Sequence, residues 1–220
     1  MEARRAVAAT PAGSHTARAM PGSARIDEPE DESLMLAYAG GDAAAFDRLY
    51  QRHKGGVYRY LVRQCKSAAI ADELFQDIWM NVIRVRASYQ PTARFTTWLY
   101  TLAHNRLVDH WRAQGHVTLV STDDDDDGAT RGAVDALPAA RGDDPVVRTE
   151  ARALGARLAG ALATLPAAQR DAFLLHQEGG LALADIAALT GVGIETVKSR
   201  LRYALTKLRS ELADWHEDSA

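Results

Sequence analysis

Thr196, Lys198, Ser199, Arg200, Arg202 and Lys207 are the residues best suited to recognising a ligand, because their spacing gathers hydroxyls and cations on one side of a helix. The ligand that suits such a set is a polyanion with readable edges. Lys and Arg neutralise phosphates, and the planar Arg fork matches base edges in a duplex groove. From Ile194 to Arg209 five basic residues stand against one acid, Glu195, a local balance of +4 inside a chain of net charge −3. Taken alone, the same face also fits a solvated helix whose cations serve solubility. Covalent chemistry finds no comparable set: the sequence has no Gly-rich phosphate loop, metal-ligating cluster or activated nucleophile, so it reads as a non-enzyme without cofactor or metal. Its one cysteine, Cys65, excludes an intrachain disulfide. Asp123 to Asp127 followed by Gly128 open like a calcium loop, but the twelfth position is Val134 where a bidentate Glu is needed.

The elements that must position the basic face are two helices and a turn. Leu183, Ile186, Ala187 and Leu189 give the first helix its apolar side, and Thr190 to Gly193 interrupt it. Ile194, Val197, Leu201, Ala204, Leu205 and Leu208 give the second helix a buried stripe at i, i+3, i+4, i+7 spacing. This is helix-turn-helix spacing. Upstream, ARALGARLAGALATL and AAQRDAFLLHQ read as two further helices, the second opened by Pro166, and Ala213 to Ala220 as a polar tail.

Further upstream the chain is expected to be all-α, with two small helical domains joined by a flexible acidic linker. Residues 1–30 read as a disordered leader, 31–114 as the first domain, 115–150 as the linker and 151–215 as the second domain, the helix-turn-helix. Their net charges are 0, +3 and −6 for the first three, so the mild total hides segregated patches. No apolar run is long enough to span a membrane and no export signal is read, which predicts a cytoplasmic protein. Within the first domain, Asp42 and Ser67 are N-cap signals, and Gly55-Gly56 inside a helix predicts a bend or a close helix contact. The segment AAIADELFQDIWMNVIRVRA turns Ile70, Leu74, Ile78, Val82 and Val85 to the core. It also carries Asp72, Glu73, Gln76 and Asp77 without a local cation, beside Phe75 and Trp79, a set that suits docking of a basic helix but, taken alone, fits an ordinary solvated acidic face better. Next, ARFTTWLYTLAHNRLVDHWRAQ mixes Phe95, Trp98 and Trp111 with Asn105, Arg106 and Arg112. The tryptophans read as core, and the polar residues as available to nucleic acid.

The order ADELFQDIW, FTTWLYTLAHNRLVDHWR, an irregular linker, then LPAAQRDAFLLHQEGGLALADIAALTGVGIETVKSRLRYALTKLR resembles bacterial RNA polymerase sigma factors of the extracytoplasmic-function group, over Asp31 to Leu212. The resemblance implies a subunit that binds core polymerase and directs it to promoters of a stress or envelope response. It implies that Asp72, Glu73, Leu74, Gln76, Asp77 and Trp79 bind the β′ clamp, with further contacts to β. Tyr89, Gln90, Asn105, Arg106 and Arg112 correspond to the part that opens and reads the minus-10 element. Thr196, Lys198, Ser199, Arg200, Arg202 and Tyr203 would contact the minus-35 element, and a cognate anti-sigma factor is the implied inhibitor. Departures from the family pattern are the Asp72-Glu73 order, Trp79 for a common Phe, His104 for a frequent arginine, which implies a phosphate contact there that is either weakened or pH-sensitive, and Tyr203 for a usual arginine. A self-contained helix-turn-helix regulator is the competing reading, and the lack of a βα phosphoacceptor pattern counts against it.

Overall fold

A computed structural model describes residues 29–65, 67–115 and 145–218, and all their regular elements are helical. The leader up to residue 28 and the Asp123 to Asp127 run lie outside the described residues. Four helices make the first set: α1 (Asp31–Ala39), α2 (Ala43–Gln64), α3 (Ala68–Val85) and α4 (Phe95–Ala113). Four make the second: α5 (Pro145–Ala163), α6 (Ala167–Gln177), α7 (Leu183–Thr190) and α8 (Ile194–Asp218).

Local chemistry accounts for the ends. The Asp42 carboxylate accepts from the amides of Ala44 at 2.9 Å and Ala45 at 3.3 Å, and the Ser67 hydroxyl accepts from Ile70 at 3.3 Å. Gly191 stops α7 in the left-handed conformation at φ 71°, which costs glycine little and lets Val192 donate back to Ala187. No side chain of its own segment caps α4. Instead Glu32 of α1 reaches across to the first amide, accepting from Phe95 at 2.5 Å at the positive end of the helix. Glu32→Ala is therefore expected to cost about 1–2 kcal/mol of stability, measured by urea unfolding. An unchanged midpoint would show that water caps α4 equally well.

Two boundaries differ from the sequence reading. Helix α5 starts at Pro145, so the last six residues read as linker are helical, with proline at the first position where its missing N–H is harmless. Helix α8 runs to Asp218, through most of the segment read as a tail.

The larger difference is tertiary. The hydrophobic cluster is continuous from Leu34 and Met35 in α1, through Leu74 and Ile78 in α3 and Leu107 in α4, to Leu174 in α6 and Leu208 in α8. The two sets pack on one another rather than standing apart. Helix α2 makes this possible at Gly56, where a Cβ would lie 2.8 Å from the Tyr100 hydroxyl and 3.2 Å from the carbonyl of Glu178. The double glycine thus marks a close approach, not a break: α2 is continuous from Ala43 to Gln64. Beside it the join is polar. Asp171 of α6 accepts from the Tyr60 hydroxyl at 2.8 Å and from Gln64 at 2.7 Å, and His104 lies 3.2 Å away through Nδ1. Arg170 donates to Gln64 at 3.2 Å. Glu178, just after α6, pairs with Arg63 and, at 2.8 Å, with Arg59, while the Tyr100 hydroxyl donates to its carbonyl. Burial first and the Asp171 charge second push the Tyr60 phenol well above its usual range, so it donates at physiological pH.

Candidate nucleic-acid and protein interfaces

On α3 the sequence-expected docking residues divide by burial. Asp72, Glu73 and Gln76 are exposed. Leu74 and Trp79 are not: Leu74 is 0% and Trp79 5% exposed, the latter with ring centroids 4.9 Å from Tyr50, 5.9 Å from Phe46 and 6.2 Å from Phe75. Both are core residues: Leu74 lies one turn before Ile78 on the buried stripe, and Trp79, beside that stripe, is enclosed by the aromatic rings of α2 and by Phe75. Asp77 is half-buried and has a partner after all. Arg106 of α4 donates to one of its oxygens through Nε at 2.9 Å and a terminal nitrogen at 2.6 Å. The counter-ion comes from another helix, and no count of local charges would find it.

Met80, which the sequence reading passed over, is 62% exposed. It sits seven residues after Glu73 and four after Gln76, so it shares their face. With Asn81, Ile83, Leu102 and Arg106 it lines an open groove between α3 and α4. The signal was available: an apolar residue standing on a polar stripe is a contact candidate.

The residues expected at the minus-10 element also divide. Gln90, Asn105 and Arg112 are exposed, the last only loosely paired with Asp109 at 3.9 Å. Tyr89 is 7% exposed and edge-on to Trp98 at 5.0 Å, so its ring is a packing element in this conformation. Arg106 is committed to Asp77. His104, expected near phosphate, is buried between the helical sets against Asp171. Trp98 and Trp111 pack on the core, as their spacing predicts.

In the helix-turn-helix, Val197, Leu201, Ala204 and Leu208 are buried as predicted, but Ile194 and Leu205 are exposed because α8 rests on α5, α6 and α7 with a narrower stripe. Lys198, Arg202 and Tyr203 face outward, with the Arg202 guanidinium 5.3 Å from the Tyr203 ring centre. Lys198 makes an exposed ion pair with Glu195 at 2.7 Å, a bond that competing phosphate can replace at little cost. Thr196 and Arg200 are half-exposed, and Ser199 turns its hydroxyl back to the Glu195 carbonyl at 2.7 Å. Among the described residues Arg200 has no carboxylate partner. Lys207 is drawn away to the Thr164 carbonyl at 2.7 Å and ties α8 to the end of α5.

Among the described residues no group of His, Cys, Asp and Glu is placed to hold a metal, and no helix is long and apolar enough to cross a membrane. The family pattern described as Sigma-70 region 2 matches residues 49–117, and that described as Sigma-70, region 4 matches residues 156–208. The RNA polymerase sigma factor CarQ of Myxococcus xanthus is 31% identical over 180 residues, covering 82% of this chain and 96% of its own. The ECF sigma factor SigE of Mycolicibacterium smegmatis is 32% identical over 198 residues, covering 88% and 73%. Among solved structures, RpoE of Bartonella quintana in complex with the anti-sigma factor NepR aligns at TM-score 0.57 and 22% identity, over 76% of this chain and 96% of its own. CnrH in complex with the cytosolic domain of CnrY aligns at TM-score 0.57 and 20% identity, over 84% and 99%. The helical hairpin with its outward cations and the helical set that precedes it thus have a common explanation: the chain belongs to the extracytoplasmic-function sigma factors, the non-catalytic subunits that direct RNA polymerase to promoters.

Proposed function

We propose that this sigma factor docks on the β′ clamp of core polymerase through α3, reads the minus-10 element with α4 and its preceding loop, and reads the minus-35 duplex with α8. The observation that carries the reading is the outward stripe of α3, where Asp72, Glu73, Gln76 and Met80 stand together on one accessible face. A basic helix lying there gains charge pairs at the rim and an apolar contact at Met80, the usual composition of a specific protein interface. Leu74 and Trp79 support that face from beneath and do not touch the partner. Arg106 holds Asp77 in position in the free protein and is a positioning residue rather than a base reader. Gln90, Asn105 and Arg112 are the remaining candidates for unstacked bases. Unstacking costs a few kcal/mol per step, so promoter opening depends on bound polymerase. The domain limits follow the sequence, 31–114 and 151–215, with α5 added from Pro145.

The protein works where polymerase does, in the cytoplasm. Its relatives RpoE and CnrH were solved with the anti-sigma factor NepR and with CnrY, and a cognate anti-sigma factor acting on this chain under envelope or other stress is the parallel regulation.

The test is in vitro transcription from a promoter library with core polymerase, with and without the protein, followed by sequencing of transcript starts. Starts that require the protein and share paired upstream elements are expected. In the same assay Arg200→Ala and Arg202→Ala should each weaken or redirect the upstream element by about 1–3 kcal/mol of discrimination, roughly 5- to 150-fold, without changing binding to core. An unaltered start profile would remove both arginines from the reading surface.

A further inference from the structure

We propose that Met80 is a reversible oxidation site: peroxide converts its thioether to a sulfoxide, and the sulfoxide weakens docking of α3 on polymerase. The inference rests on the docking reading above.

Position singles this residue out. Met80 is 62% exposed, and no other large apolar side chain among the described residues is as open to solvent, the next being Tyr203 at 56%. It stands on the outward ridge of α3, four residues after Gln76 and four before Arg84, both exposed. The other sulfur atoms among the described residues are shut away. Met35, on the inner side of α1, is 0% exposed. Cys65 is buried, and burial pushes its thiol up to about 12, so hardly any of the reactive thiolate forms near neutral pH. Among the described residues an oxidant therefore meets accessible sulfur at Met80 alone.

The step needs only the oxidant. A lone pair of the thioether sulfur attacks one oxygen of hydrogen peroxide, the O–O bond breaks, and after proton transfer the second oxygen leaves as water. Sulfur is oxidised by two electrons and the peroxide is reduced by two. A methionine sulfoxide reductase reverses the change, its dithiol becoming a disulfide as the sulfoxide oxygen leaves as water. The consequence falls on docking and not on the fold. In the free chain the side chain already stands mostly in water, so the new S–O group is hydrated and no packing is lost. Under a docked helix the same group must shed that water. The acids beside it, Asp72 and Glu73, draw the partner's cations to the rim, and the apolar side chain that packs on a thioether offers the sulfoxide oxygen no donor. Loss of an apolar contact and burial of an unpaired polar group act in the same direction, for roughly ten- to hundred-fold weaker binding.

Binding of the full chain to core polymerase, measured before and after treatment with hydrogen peroxide, tests the site, with peptide mass analysis to follow the gain of one oxygen at Met80. Oxidised wild type should bind core roughly ten- to hundred-fold more weakly with its urea midpoint unchanged, and a methionine sulfoxide reductase with dithiothreitol should restore the affinity. Met80→Leu, whatever its own affinity, should show no change on the same treatment. Met80→Gln, which fixes a polar group at the position, should bind as weakly as the oxidised wild type without any peroxide. Undiminished binding with Met80 oxidised, failure of peroxide to add oxygen to Met80 in the folded chain, or an equal loss in Met80→Leu overturns the proposal. The combined Glu73→Lys and Asp77→Lys chain separates this failure from that of the docking reading. If that chain binds core as wild type does, the docking reading falls and takes the oxidation site with it; if it loses binding while oxidised wild type does not, the oxidation site falls alone.

Discussion

Glu73→Lys combined with Asp77→Lys is expected to abolish binding to core polymerase while the chain remains folded. Truncating one partner of a rim charge pair costs about 1 kcal/mol, but reversal adds like-charge repulsion of several kcal/mol against a basic partner, so two reversals on one face should weaken binding by more than about a hundred-fold. The competing effect is structural, because Asp77 also holds Arg106 at 2.6 Å. That pair is over a third exposed on both sides, and exposed pairs contribute about 1 kcal/mol or less, so docking loses far more than the fold. Fluorescence anisotropy with labelled protein and core polymerase, beside a urea melt of the same variant, separates the two. Binding retained within ten-fold of wild type would remove α3 from the polymerase interface.

Trp79→Ala should have the opposite signature: a loss of about 3–5 kcal/mol of stability, with polymerase binding lost only because the fold is lost. Its ring packs against Phe46, Tyr50 and Phe75, so truncation leaves a cavity that rigid neighbours close poorly. Total stability of a small domain is about 5–15 kcal/mol, which makes this a large share. Trp79→Phe keeps most of the volume and removes an indole N–H that is buried without a partner, so its cost should be much smaller. Chemical denaturation of both variants checks the ordering. If Trp79→Ala melts within 1 kcal/mol of wild type yet fails to bind core, Trp79 belongs to the docking face and not to the core.

The helices were legible in the sequence because each carries its own signals: the Asp42 and Ser67 caps, the left-handed Gly191 stop, and apolar residues every third or fourth position. The basic face of α8 was legible for the same reason, since charge and period are both local. What escaped was any property supplied by a distant helix. Arg106 neutralises Asp77 from 29 positions away, and Glu32 caps α4 from 63 positions before it. His104, read from the resemblance as a weakened or pH-sensitive substitute for a phosphate-binding arginine, is instead buried against Asp171, 67 positions away. Leu74 was placed in the core by its spacing and on the clamp face by the resemblance, and its burial agrees with the first; Trp79 looked like a member of the acidic face because the sequence gives its spacing but not which way α3 is turned. Met80 was missed through reliance on charge where the helical period pointed to it. The packing of one helical set on the other left only the double glycine at Gly55-Gly56 as a trace in the sequence, and that trace gives closeness without naming the neighbour.

The continuous hydrophobic cluster has a consequence for folding cooperativity. Heat should melt the closed chain in a single transition, since neither helical set can lose its packing without exposing the other. On their own, the helices from Pro145 onward would form a body of fewer than about 80 residues, a size at which one apolar core is only marginally stable. Each set thus lends the other part of its stability, and a core-destabilising substitution in either one should lower the melting temperature of both.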